Sequence, residues 1–358
     1  MVTAQDLGNG GRQYQLNVYG QHQYAGYTDT LLLFVKPTAT DAEARNTLLQ
    51  ALMLGLTPLI AKTPFASGIH FTMKENGASL LATTTRDKWH YWVFRIGARG
   101  ELSADRVYNT NLLNANFSIN RTTDKLKLSF YVTGSRRLSE YTLEDDSEPS
   151  KYTVENSDYG VFYDLVKSIG PHWSYGYQLD YSNNTFNNIR QKIYFNPAIE
   201  YDIFNYKEVN NRFFVLRYGV EVNDNRYYDT TIYNKIKETL YGHRFSASLT
   251  LNKNWGVFFV GINYRNYFHD FKLNNMGVNV NADVRITGGL SFFVNANGGV
   301  VHNQMSLVKG DVTEQEVLTR KRQLASTYNY NTAFGLNFRF GSILNNFVNP
   351  RFEGYGGF

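Results

Sequence analysis

The sequence predicts a transmembrane antiparallel β-barrel of about twelve strands, preceded by a small α/β domain. Three observations predict it. The first is a sustained period of two: Val278, Val280, Ala282, Val284 and Ile286 interleave with Asn279, Asn281, Asp283, Arg285 and Thr287, and Phe334, Leu336, Phe338 and Phe340 interleave with Gly335, Asn337 and Arg339. Such alternation makes one face greasy and the other polar. The second is that the connections switch between tight turns and long polar loops. The third is that no apolar run approaches the roughly 20 residues of a membrane helix, so spanning falls to strands, whose backbone bonds must close within the sheet.

The composition is compatible with this class. Tyr 27, Phe 25 and Trp 4 bring the aromatic share of the 358 residues to 16%, which suits an interfacial girdle, although a Tyr-rich soluble sandwich shows it too. The mean hydropathy of -0.40 looks soluble, as expected when about half of each strand avoids lipid. The net charge of +5 is dispersed, with no clustered stripe for nucleic acid. The absence of cysteine excludes disulfide scaffolds and thiolate metal sites. No export signal is visible, and the chain is expected to lack part of its natural amino terminus.

Residues 1–85 read as the α/β unit. Asn9-Gly10-Gly11 is a hairpin-type turn signal, after which Tyr14, Leu16 and Val18 alternate with Gln13, Gln15 and Asn17. Leu31–Val35 is a strand ending before Pro37. Thr40 with Glu43 has capping-box spacing and starts a helix with an apolar stripe of Leu48, Leu49, Leu52, Met53 and Leu56. Pro58 disfavours simple continuation of that helix. Ile69–Met73 is a further strand, and the helix is expected to cover the strands beside it.

Residues 86–341 form the predicted barrel, and 342–358 a periplasmic tail. The strands are expected at 89–103, 108–121, 124–140, 158–168, 171–182, 190–204, 211–225, 239–251, 254–268, 272–287, 290–303 and 326–341. Tight connections such as Asn252-Lys253-Asn254 alternate with longer ones at 104–109, 141–157, 183–189, 226–238, 269–271 and 304–325. An even strand number puts both termini in the periplasm.

If the greasy face meets lipid, then Arg95, Arg99, Lys125, Lys127, Lys192, Arg217, Arg244, Arg265, Arg285 and Arg339 point into the lumen, together with Glu101, Asp164, Asp180, Glu200, Asp202, Glu221 and Asp283. The sorting supports the barrel, because Arg or Lys on the lipid face costs about 2–4 kcal/mol at the midplane. Two functional readings follow. The charges either coat a narrow, anion-leaning channel or pair across the lumen and fill it.

Chemistry is poorly signalled. His22, His70, His90, His172, His243, His269 and His302 are isolated, without metal-ligand spacing. Ser246 lies three positions from His243, which puts the two on opposite faces of an unbulged strand and argues against a nucleophile–base pair. Glu144, Asp145, Asp146 and Glu148 lack a calcium-loop spacing and read as a solvated external loop. Gly8–Gly11 lacks the order and the following helix of a phosphate-binding loop. No catalytic residue, cofactor or metal site is expected.

Two loops stand apart. Residues 304–325, with Glu314, Glu316, Arg320, Lys321 and Arg322, either fold inward as a constriction or extend outward to a partner. Residues 226–238 carry Tyr227, Tyr228 and Tyr233 and suggest a sticky outer surface. Phe347, Phe352, Tyr355 and Phe358 in the tail suggest docking to the amino-terminal domain, the barrel mouth or another subunit.

The stretch Gly8-Asn9-Gly10-Gly11-Arg12-Gln13-Tyr14, with Gly20, Tyr24-Ala25-Gly26, Asp29-Thr30-Leu31, Thr40-Asp41, Glu43, Arg45 and Leu54-Gly55-Leu56, resembles the amino-terminal region of uncharacterised Bacteroidota outer-membrane proteins. The resemblance covers most of the chain and is specific mainly over the first 60 residues. It implies a periplasmic α/β domain before an outer-membrane barrel within a larger assembly, with outer-membrane lipid and other outer-membrane or periplasmic proteins as partners. The expected role is therefore a scaffold or accessory subunit, with the narrow channel as the alternative and a membrane-embedded hydrolase as the least favoured.

Overall fold

The computed structural model describes residues 2–7, 10–20, 22–64, 66, 87–143, 150–205, 208–310, 313, 316, 319, 321 and 325–341. The expected strand at Ile69–Met73, the boundary near residue 85, the acidic group at 144–148 and the aromatic tail at 342–358 lie outside them.

The chain starts with a three-stranded antiparallel sheet, β1 (Val2–Asp6), β2 (Arg12–Tyr19) and β3 (Thr28–Val35), followed by helix α1 (Asp41–Ile60). Between β1 and β2 the Gly10 amide donates to the Leu7 carbonyl at 2.8 Å and the Leu7 amide to that of Gly11 at 2.8 Å, while Gly8 and Asn9 of the expected turn lie outside the described residues. The strand β1 was not anticipated. The capping box forms in full, since the Glu43 amide donates to Thr40 Oγ1 and the Thr40 amide to Glu43 Oε2. Pro58 stands inside the helix, in its last turn, so the helix runs two residues beyond it.

The helix covers β2 and β3 as expected, but through a different stripe. Ala51 and Gly55 are its buried residues, whereas Leu49, Leu52, Met53 and Leu56 are exposed. The cause is close approach: a Cβ at Gly55 would stand 2.8 Å from Leu31 Cδ1 and 3.3 Å from Val18 Cγ2. A larger residue on that line would push the helix off the sheet.

The second sheet has twelve strands, β4 (Trp92–Ala104), β5 (Tyr108–Thr122), β6 (Leu126–Leu143), β7 (Ser150–Ser168), β8 (Trp173–Asn184), β9 (Ile189–Asp202), β10 (Arg212–Tyr227), β11 (Lys237–Lys253), β12 (Gly256–Tyr267), β13 (Asp270–Arg285), β14 (Leu290–Val301) and β15 (Tyr328–Phe338). Each pairs antiparallel with its sequence neighbour, and the order is an uninterrupted meander. Hence the strand number and most boundaries follow the alternation. The exception is β7, which starts eight residues before the expected 158 and forms a tall hairpin with β6.

The register drifts steadily. Arg95, near the tight-turn end of β4, leads through paired positions Ser118, Tyr131, Phe162, Asp180, Tyr194 and Asn223 to Leu240, near the long-loop end of β11. This is the stagger of tilted strands that closing a sheet into a barrel requires. The expected closure is nevertheless not made. Among the described residues β4 pairs with β5 alone and β15 with β14 alone, so the sheet is open. Without a neighbour to shield them, both edge strands are bare on both faces: Ile96 and Arg99 of β4 are exposed, as are Tyr330 and Asn331 of β15.

Candidate functional site

The register assigns every strand residue to one of two faces. Arg95, Arg99 and Glu101 of β4, Lys127 of β6, Asp164 of β7, Asp180 of β8, and Lys192, Glu200 and Asp202 of β9 share one face. Arg217 and Glu221 of β10, Arg244 of β11, Arg265 of β12, and Asp283 and Arg285 of β13 continue it. Arg339 falls just past β15 in the same parity as Asn337. Lys125 differs: it lies in the turn between β5 and β6, where strand parity no longer directs a side chain. The opposite face carries Phe94, Ile96, Leu113, Phe195, Ile199, Val220, Phe245, Ile262, Met276 and Phe334, all large and exposed.

The charged face is not uniform along its height. Toward the long loops it is packed. Glu221, whose side chain is fully buried, accepts from Arg265 Nε, from the Tyr194 hydroxyl at 3.2 Å and from Asn223 Nδ2 at 3.4 Å. The Arg265 guanidinium also lies 5.3 Å from the Tyr267 ring centre and 6.0 Å from that of Tyr194. Arg265 reaches Glu221 across β11, where residue 242, opposite Glu221 in the pairing, is glycine. A Cβ there would collide with the Asn266 carbonyl and stand 3.2 Å from the Tyr267 ring.

Toward the tight turns the face is open. Lys127, Ser129, Asp164, Glu200 and Arg217 line a cavity of ≈ 250 Å³. Glu200 and Arg217 stand opposite one another in the β9–β10 register, and Ser129 and Asp164 in the β6–β7 register. Charges of both signs facing shared space stay solvated, in contrast to the packed Glu221 cluster.

Part of the β14–β15 connection folds over the packed end. The Ile232 amide donates to the Leu307 carbonyl at 2.8 Å, and the Lys309 amide to the Thr230 carbonyl at 2.8 Å, so this loop is stitched to the β10–β11 loop. Asn188, in the β8–β9 loop with φ of 60°, donates to the carbonyls of Asp229 (2.9 Å) and Ser306 (3.0 Å). Met305 packs against Leu240 and Tyr267 in the one cluster of buried apolar residues found among the described residues. Farther along, Lys321 Nζ lies 5.8 Å from the Tyr152 ring centre on β7. Of the two expected orientations, Asn303–Lys309 adopts the inward one. Tyr227 is likewise turned inward, donating to Glu238 Oε1 at 2.5 Å, while Tyr228 and Tyr233 remain exposed.

No family model and no curated protein matches the chain. Among solved structures it is similar to the NanC porin in a rhombohedral crystal form, at 8% identity and a TM-score of 0.31, covering 68% of this chain and 99% of that one. A bacterial polysaccharide outer membrane secretin is similar at 11% identity and a TM-score of 0.32, covering 70% and 91%. The translocator domain of autotransporter NalP from Neisseria meningitidis is similar at 10% identity and a TM-score of 0.25, covering 84% and 98%.

His70 lies outside the described residues, and the other histidines stay apart from one another. His243 is on the greasy face, 3.1 Å from the Tyr218 hydroxyl, and Ser246 is on the charged face, as their odd separation requires. No group of three His, Asp or Glu residues that could hold a metal occurs among the described residues. Sequence reasoning missed the role of Asn188 and of Met305 with Leu307. An apolar pair two apart inside a polar loop was the available signal for the latter.

Proposed function

We propose that the chain is an outer-membrane β-barrel, closed by β4 against β15, that serves as a scaffold or accessory subunit and is occluded at rest by its own β14–β15 loop. The observation that carries this reading is the Asn303–Lys309 segment stitched to the β8–β9 and β10–β11 loops, a placement that would lie across the mouth of the closed barrel. The lipid-facing assignment is supported by the large apolar residues bare along one face and by the charges gathered mainly on the other, while exceptions such as Arg121, Arg136, Glu155 and Arg226 lie toward strand ends or in the tall β6–β7 hairpin. In hydrocarbon that arrangement is stable and its inverse is not. The amino-terminal sheet and helix, with both chain ends, would sit in the periplasm, and the exposed leucines of α1 offer a surface for a protein partner.

A narrow channel is the second reading, favoured by the open cavity at Lys127 and Arg217. The charges assigned to this face from sequence number ten basic and seven acidic, so such a channel would lean toward anions. Planar-bilayer recording of the purified chain decides between the two. The scaffold reading expects silence from the native protein and steady conductance after deletion of residues 303–309. Steady native openings with an anion-selective reversal potential would replace it with the channel.

A further inference from the structure

Beneath the folded-in loop lies a second cavity of ≈ 320 Å³, and no role described above uses it. Its wall is drawn from five strands, with Lys192 from β9, Asn223, Asn225 and Tyr227 from β10, Tyr267 from β12 and Asn275 from β13 taking part. Asn303–Ser306 of the loop complete it. The size is at the lower end of ligand pockets, which run about 300–1,000 Å³.

Two of the lining amides lack something. The Oδ1 atoms of Asn223 and Asn225 are buried and have no hydrogen-bond partner, and both residues are more than nine-tenths buried. A buried acceptor left unmade costs about 1–3 kcal/mol, so a site that keeps two of them side by side is arranged for a visiting donor. The donor must be polar, yet the wall is not only polar. Tyr227 and Tyr267 add aromatic surface, for which water alone gains nothing.

We infer that this cavity is a binding site for a saccharide of monosaccharide size. Such a ring carries several hydroxyls, each able to donate to an amide oxygen and accept from an amide nitrogen, and a C–H face suited to an aromatic wall. Lys192 is the charged residue of the lining and favours a sugar bearing a carboxylate over its neutral counterpart. The site depends on the charged face being an interior, but not on whether the barrel conducts. Steady openings of the native protein would overturn the scaffold reading and absent binding this one, so the two fail separately.

The test is calorimetric titration of the full chain in detergent with D-glucose and D-glucuronate, beside the variants Asn225→Leu and Lys192→Met. Saturable binding of both sugars is expected, tighter for glucuronate. Asn225→Leu should weaken both by about tenfold, the equivalent of one hydrogen bond of roughly 1.4 kcal/mol. The same variant should keep or raise the thermal midpoint, since it removes an unsatisfied buried acceptor. Lys192→Met should erase the preference for glucuronate. Absence of saturable binding by either sugar overturns the inference. So does unchanged affinity in a well-folded Asn225→Leu, which would mean that the cavity holds ordered water alone.

Discussion

Glu221 and Arg265 form the buried pair that locks β10 to β12 across the gap left by Gly242. Removing one partner strands the other in a low-dielectric wall, so Glu221→Gln should destabilise the protein by about 3–5 kcal/mol. Replacing both, as in Glu221→Leu with Arg265→Met, should cost far less. Chemical unfolding of the lipid-reconstituted protein measures the difference, and equal losses in the two variants would refute the pairing argument. A second residue-scale case is Asp87, which accepts from the amides of Tyr91 at 2.6 Å and Trp89 at 3.0 Å. These bonds hold its carboxyl below the ordinary value and fix a turn in which His90 and Tyr91 both have positive φ. A depressed carboxylate gives its contribution above the unfolded value and loses it as pH falls through the folded one. Ordering of the 87–91 turn should therefore persist at pH 5 and fade under stronger acid, as read by the carboxyl shift of Asp87 in an NMR titration. A midpoint at or above that of an unstructured aspartate would contradict the geometry.

At the scale of single elements, what the sequence revealed depended on whether lipid imposes a pattern. The strands within the proposed membrane zone were legible because one greasy face per strand leaves a period-two signal. The upper part of β7 was not: Lys151, Thr153 and Glu155 alternate with Tyr152, Val154 and Asn156, so only one flank has any apolar content and that flank is mixed. There β7 rises beyond β8 and pairs only with β6, with Arg136 Nε 2.8 Å from Glu155 Oε1. That pair is exposed, so Arg136→Ala should change stability by no more than about 1 kcal/mol. In α1 the capping box was read directly, but the buried stripe was not. Hydrophobicity marks leucines, whereas close packing on a sheet selected Ala51 and Gly55. Thr40→Ala should weaken the helix start by about 0.5–2 kcal/mol, seen as faster amide exchange confined to its first turn. Exchange that rises uniformly along α1 would mean that the cap is dispensable.

For the whole molecule, the free edges of β4 and β15 are the decisive feature. The two strands run antiparallel in an even-numbered meander, and their charged faces share a parity, so joining them needs no rewiring of the chain. A membrane tolerates no unpaired edge. Arg99 of β4 and Ala333 of β15 share the inner face and stand near the middle of their strands, so a seam that aligns the two strands centre to centre brings them opposite one another. The chain has no cysteine to confuse the outcome. Arg99→Cys with Ala333→Cys should give an intramolecular disulfide in membranes, and Arg99→Cys with Phe334→Cys should not. Cross-linked dimers in place of the intramolecular bond would show that the edges seek a second copy. The sequence disclosed the strand number and the two faces, because both are written in local alternation. It could not disclose the stitching of the β14–β15 loop to the β8–β9 and β10–β11 loops, since that depends on residues distant along the chain.

The stitching of the β14–β15 loop has a consequence for biogenesis. Asn188 and Ser306 are 118 positions apart, and Ser306 is fastened to hairpins synthesised well before it. On the proposed barrel reading, the loop can seat over the mouth only after those hairpins have been laid into the bilayer. An insertion intermediate of such a barrel would thus pass through a stage without its loop in place, and cells in which that stage is prolonged should become more permeable to small solutes than cells holding the finished protein.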